Sequence, residues 1–193
     1  MEYPTVTNTF ETFDFETYEQ RPPADANGWR DDIYIQKTYN GMVIWLEKSS
    51  NEYYCEIYYP ESSFRILKIY YANGNIKEKG LTYVQGFEKG IWHEFDQLGK
   101  LVKDVNYDKP FTFTFEDVAK FCAQNGISLA KGYKSSIETS IYRKSYNSGC
   151  YWEIESITKD IKNPPYNLDM YIKLDGKTGK ILSRTQESFT YRR

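Results

Sequence analysis

The sequence predicts a β-rich α+β fold: a meander of antiparallel hairpins followed by a helix packed on a small antiparallel sheet. Three observations predict it. The first is an internal repeat. In Ile66–Asp104, ILKIYYANGNIKEKGLTYVQGFEKGIWHEFDQLGKLVKD, placing Gly74 over Gly99 superposes two halves at an offset of about 25 residues, a period that marks repeated supersecondary units. Ile66 then falls on Ile91, Leu67 on Trp92, Tyr70 on Phe95 and Ile76 on Leu101, so each half reads as strand, glycine turn, strand. The second is composition: among 193 residues there are 19 Tyr, 11 Phe and 4 Trp, side chains that favour pleated, half-buried surfaces. The third is a change of character after Pro110, where one helical pattern is followed by strand-like runs, the α+β order. A chain of this length can bury roughly 70% of its extended surface, so a sizeable core is available. The expected organisation is a hairpin-repeat region over 1–109 and an α+β module over 110–193.

Taken in order, Thr5–Tyr18 sets Phe13 and Phe15 at period two, which predicts an edge or surface strand. EQRPPADANGW, with Pro22, Pro23, Asn27 and Gly28, predicts a loop. Ile33–Tyr59 offers strands in IYIQKTY and in MVIWLEKSSNEYYCEIYY, with a polar turn at Lys48–Asn51. Shifting the repeat back once more places Ser49 under Gly74, a degenerate match that makes a third hairpin. Pro60 ends that strand and PESS turns the chain into Phe64.

In the clear repeats, Asn73-Gly74 is a strong turn signal because glycine reaches positive φ without steric cost. Asp96-Gln97-Leu98-Gly99 does the same with a looser sequence. Ile91, His93 and Phe95 share one side of their strand and Trp92 and Glu94 the other, so either both faces are partly covered or a bulge lies near His93. Thr114 followed three residues later by Asp117, with Phe115, Val118, Ala119 and Cys122 at helical spacing, predicts a capped helix stopped at Asn125-Gly126. SIETSIYRKS, YWEIESIT and the hairpin LDMYIKLDGKTGKILSRTQ complete the module, with NPPY at 163–166 breaking the chain between strands.

The chemistry of the chain argues for binding. The 25 basic and 27 acidic residues are well mixed, the net charge is -2, and no Lys/Arg stripe suits a nucleic acid. No apolar run reaches the length of a membrane helix, and the opening MEYPTVTNTF has neither a basic nor an apolar leader region, so a cytoplasmic protein is expected. An exported chain whose signal had been removed would read the same way. Cys55, Cys122 and Cys150 lack CxxC spacing and are expected as free thiols, with no metal or cofactor. Acid–base chemistry would rest on the single histidine, His93, with Glu94 or Asp96; His93 aligns with Lys68 of the preceding repeat and reads better as a polar strand position. No enzyme is indicated.

YYANGNIKEKG and GIWHEFDQLGKLVKD resemble the variant MORN repeats of bacterial antitoxin-type proteins, an aromatic strand, an x-Gly turn and an apolar-Lys strand. Trp92, Phe95, Gly99 and Leu101 fit the second unit, Tyr71 and Asp96 differ between units, and the resemblance covers about residues 64–108. FEDVAKFCAQNGISL with the later strands resembles a PepSY-type module, through Asp175, Thr178, Gly179 and Lys180. What the MORN resemblance implies is an immunity or antitoxin protein that neutralises a cognate bacterial toxin by direct binding. The expected contact residues are Tyr71, Asn73, Trp92, Glu94 and Asp96, as aromatic anchors and acidic contacts. The alternative is a cell-envelope scaffold or glycan-binding module with Trp45, Trp92 and Trp152 as stacking platforms.

Overall fold

The computed structural model describes residues 3–22, 32–38, 40–135, 139–146, 149–159 and 167–189. Most of the loop expected after Glu19 and the NPPY break lie outside them. The chain divides into two compact units, one holding residues 2–82 and 88–107, the other residues 83–87 and 108–193.

The first unit is an antiparallel meander in which sequence order and spatial order coincide: β1 (Ile33–Lys37), β2 (Val43–Lys48), β3 (Glu52–Tyr58), β4 (Phe64–Tyr71), β5 (Ile76–Tyr83), β6 (Glu88–Phe95) and β7 (Leu101–Asn106). The expected third hairpin is the β2–β3 pair, whose turn closes with Ser49 N–H donating to the Glu52 carbonyl at 2.9 Å. Strand register assigns the faces. Tyr34, Leu46, Cys55 and Lys68 lie in one row across β1–β4, and Tyr53 and Tyr70 in the next. With Ile76 and Phe95 they form the core face. Both bulges fall around His93, between Glu94 and Phe95 on one side of β6 and opposite Lys79–Leu81 on the other.

The segment before β1 is where the structure departs most from expectation. Residues 3–14 form an arm with one bridge, Thr12 to Asn75, and the arm leads into a single helical turn, α1 (Phe15–Tyr18). Phe13 N–H donates to the Gly74 carbonyl at 2.8 Å, and Ile76 N–H to the Glu11 carbonyl at 3.1 Å. Asp14 ends the extended run because its carboxylate accepts the Thr17 N–H at 2.9 Å, an N-cap that curls the chain. Phe13 and Tyr18 therefore enter the core at 3% and 1% exposure, where Phe13 meets Tyr53, Tyr70 and Tyr18 ring to ring. An alternating strand would have sent Phe13 and Phe15 to the same side; instead Phe15 stays half out and packs over Gly74.

In the second unit, α2 (Phe115–Gln124) carries the expected capping box, with Thr114 and Asp117 bonding reciprocally, and buries Phe115, Val118 and Cys122. β8 (Thr139–Tyr146), β9 (Gly149–Lys159), β10 (Asn167–Asp175) and β11 (Ile181–Phe189) form an antiparallel sheet in spatial order β11-β10-β9-β8. Ile141, Ile154, Ile172 and Leu174 are fully buried, and Trp152 is 1% exposed with Phe87 and Phe111 centred 5.0 and 4.9 Å from it. The Arg143 guanidinium lies 5.0 Å from both the Phe87 and Phe111 ring centres and pairs with Asp108 at 2.6 Å, so this charge is held between rings and a carboxylate. The β10–β11 turn is tied by Asp175, whose carboxylate accepts the N–H groups of Lys177 and Thr178 and the Thr178 hydroxyl. These bonds, the Thr178 backbone bond foremost, hold its carboxyl below the usual range.

Candidate functional site

Of the residues expected to bind a partner, Tyr71, Asn73 and Asp96 sit at the repeat turns and Trp92 and Glu94 within β6, and most of them hold the repeats together. The Tyr71 hydroxyl donates to the Phe95 carbonyl at 2.8 Å, and Asn73 Nδ2 and Asn75 Nδ2 donate to the Gln97 carbonyl at 3.2 and 2.9 Å. Equivalent turns are thus bonded one repeat apart. Asp96 accepts the N–H groups of Leu98 and Lys100 at 2.9 and 3.0 Å, shaping its own turn. Trp92 is 4% exposed, its ring lying where a side chain on Gly80 would stand, with Nε1–H donating to the Leu81 carbonyl at 3.1 Å. Glu94 pairs with Lys103 at 3.3 Å. Trp92 is therefore a core residue of the sheet, while Asn73, Glu94 and Asp96 keep surface. Of the three tryptophans considered as sugar platforms, Trp152 is also buried and Trp45 alone is half-buried.

Register gathers a different set on the face opposite the arm. Ile33, Glu47, Tyr54 and Ile69 form one row across β1–β4, and Ile35, Trp45, Glu56 and Leu67 the next. Glu52 stands opposite Tyr71, and further along the sheet Glu78 stands opposite Glu94. Phe13 of the arm and Tyr18 of α1 pack on the other face. Three cations of the face opposite the arm are engaged: Arg65 with Glu56 at 3.4 Å, Lys77 with Glu52, Lys103 with Glu94. Glu47 accepts the Trp45 indole N–H at 3.3 Å. Glu78 has burial and then, beyond the easing effect of Lys77, the charges of Glu94 and Glu52 pushing its carboxyl up from the usual value. Like charges directly opposed across two strands destabilise a sheet. The Tyr54 hydroxyl, donating to Glu52 at 2.7 Å, has its pKa pushed up to about 12 by that bond. The spacing Glu52, Tyr54, Glu56, Tyr58 announces this stripe in the sequence, because alternate residues of one strand share a face. The glutamates of β2, β3 and β5 lie within strands, away from the repeat turns, and only strand pairing brings them onto one face.

His93 pairs through Nδ1 with Asp104 Oδ1 at 2.8 Å, neither with Glu94, which points to the other face, nor with Asp96, which is engaged in its turn. The cross-strand register of β6 and β7 selects Asp104. His93 lines an open groove of about 500 Å³ between the arm and β5–β6, together with Val6, Thr7, Asn8, Leu81, Lys89 and Ile91. Among the described residues there is no group of three or more His, Cys, Asp or Glu side chains placed to hold a metal ion. No helix among them is long and apolar enough to cross a membrane. Cys55 and Cys122 are buried free thiols, both pushed up to about 12 by burial, which keeps them as unreactive core atoms.

Fold and site together define a class: a seven-stranded hairpin meander clasped by its own N-terminal arm, joined in one chain to a four-stranded α+β unit. No family model matches the chain, and neither a curated protein nor a solved structure is detectably similar to it.

Proposed function

We propose that this chain is a non-enzymatic protein-binding module of the immunity or antitoxin kind, which neutralises a cognate bacterial toxin by covering it with the open face of the repeat sheet. The observation that carries the reading is the composition of that face. Half-buried Trp45, Tyr54, Leu67, Ile69 and Tyr71 supply apolar contact area, and Glu47, Glu52, Glu56, Glu78 and Glu94 outnumber Lys37, Arg65, Lys77 and Lys103. Rigid aromatic area beside charge is the make-up of interface hot spots. The surplus of carboxylates selects a partner with a basic surface, steering it in at low salt. The opposed Glu78–Glu94 pair supports this, since a partner cation placed there would relieve a repulsion the free protein tolerates.

The test is co-expression with the products of the neighbouring genes. A stoichiometric complex is expected with one of them, weakened at least tenfold by Glu47→Lys with Glu78→Lys, while the same variant unfolds at no lower denaturant concentration than the parent. Absence of a complex with either neighbour, or a complex indifferent to both reversals, overturns the reading.

A further inference from the structure

We infer that β11 is a dimerisation edge: two copies of this chain pair β11 with β11 antiparallel and join their four-stranded sheets into one. The edge belongs to the second unit, so the inference does not rest on what the open face of the repeat sheet binds. A sheet edge is a row of backbone donors and acceptors in want of partners, and proteins that stay apart blunt it. Three of the edges in this chain are blunted. β1 is only five residues long. β7 is interrupted by a bulge at Val102 and carries exposed Lys103 and Asp104. β8 is bridged by Gly86 at Ile141, where the Ile141 N–H donates to the Gln85 carbonyl at 3.3 Å.

β11 lacks these devices. It runs nine residues, is the end strand of its sheet, and is exposed at every position from 181 to 188. Its bulge at Leu182 falls beside the hairpin turn, and from Ser183 onward the register is unbroken. No proline interrupts it. Among the described residues, the backbone groups of 183–187 that turn away from β10 meet no backbone partner. The charge that could guard the edge is turned aside, since Arg184 donates to Asn125 Oδ1 at 3.1 Å, just past the end of α2.

The strand is also complementary to itself, and this selects a second copy as the occupant. A two-fold axis normal to the sheet keeps each side chain on its own face, so it must pass between two copies of the same residue. Centred on Thr185, it pairs all nine residues of each strand. Thr185 then meets Thr185, Ser183 meets Glu187 and Arg184 meets Gln186, polar pairs with no like charges opposed. Centring on Arg184 or Glu187 sets like charges face to face, and centring on Gln186 shortens the overlap. An edge pairing of this size buries less than the roughly 1,600 Å² of a standard interface, so the dissociation constant is on the order of 100 µM. Because both copies spend the same edge and β8 is already bridged, assembly stops at two.

The test is sedimentation equilibrium of the full chain from about 5 to about 500 µM, where a reversible monomer–dimer equilibrium is expected. Ser183→Asp places a carboxylate opposite Glu187 of the other copy at two symmetric positions, while within the chain it faces Lys173 and leaves the fold intact. It should weaken the dimer about tenfold. Adding Glu187→Lys converts both contacts to opposite-charge pairs, and within the chain the new ammonium faces Asp169. The double variant should dimerise at least as tightly as the parent. A monomer throughout, which would leave the edge to a strand of another protein, overturns the inference. So does a larger assembly, a dimer indifferent to Ser183→Asp, or one that the second change does not restore. Failure to find a complex with a neighbouring gene product would leave the dimer standing, since the two use different sheets.

Discussion

At the scale of single residues, two glutamates on opposite faces of one sheet have opposite electrostatic fates. Glu11 on the arm is partly desolvated, which by itself would raise its pKa. Bonds to Lys68 at 2.5 Å and Lys79 at 2.7 Å outweigh this and hold the carboxyl below its ordinary value of 4.5. Lys79 is 2% exposed and also donates to the Thr9 carbonyl at 2.6 Å, so among the described residues its ammonium hydrogen-bonds to the arm while facing the Phe95 ring at 5.6 Å. The Glu11 contribution is therefore complete above about pH 4.5 and lost as pH falls through the lowered folded value. Glu78 is displaced the other way: its folded carboxyl holds its proton more tightly than the unfolded one, so its ionisation subtracts stability as pH rises above 4.5. Urea unfolding across pH 3–7 is the measurement, over a range of roughly four pH units. Glu11→Gln is expected to lose about 1–3 kcal/mol at neutral pH and to flatten the acid limb. Glu78→Gln is expected to gain a few tenths to about 1 kcal/mol at neutral pH, through relief of the like-charge pair.

At the scale of elements, the repeat glycines have two tasks where the sequence suggests one. Gly74 and Gly99 both adopt φ of +84°, as their turns require. They are also the places where the arm lies down: a Cβ on Gly74 would stand 2.5 Å from the Phe15 ring, and one on Gly99 2.3 Å from the Phe10 ring. Gly99→Ala is accordingly expected to cost about 1–3 kcal/mol from backbone strain and to lift Phe10, read as faster chymotrypsin cleavage after Phe10 at unchanged far-UV circular dichroism. The turns, the capping box at Thr114 and the hairpin at Asp175 were legible because each is written within five residues. The arm was not, because Phe13 and Phe15 fit a strand by spacing while one local bond from Asp14 to Thr17 redirects the chain. Asp104 as the partner of His93 was equally hidden, since it follows from a register that the bulge beside Phe95 shifts. Trp92 was legible as an aromatic of the repeat and illegible as a buried one, because only the strand pairing reveals that Gly80 leaves room for it.

At the scale of the whole molecule, the units are not contiguous stretches of chain. Tyr83–Phe87, at the end of β5 and in the turn beyond, belongs with residues 108–193. Within that unit Phe87 packs edge-on against Trp152, Tyr83 stacks on Phe87, and Gly86 approaches Ile141 so closely that a Cβ would stand 1.9 Å from its carbonyl oxygen. A fragment starting at Asp108 lacks these groups, and Trp152 and Arg143 lose ring neighbours in it. Expressed alone, it is expected to lack a cooperative thermal transition. A chain deleted only at residues 3–14 should keep the Trp152 environment, so the Trp fluorescence of the two products distinguishes these outcomes.

The arm also dictates an order of events. The ammonium of Lys79 reaches back 70 residues to the Thr9 carbonyl, and Phe10 rests on a turn whose glycine is residue 99. During synthesis the first dozen residues leave the ribosome long before the strands that receive them exist, and contacts this distant in sequence close late and slowly. The beginning of the chain is thus placed after the sixth and seventh strands are made, and its docking marks the repeat sheet as complete.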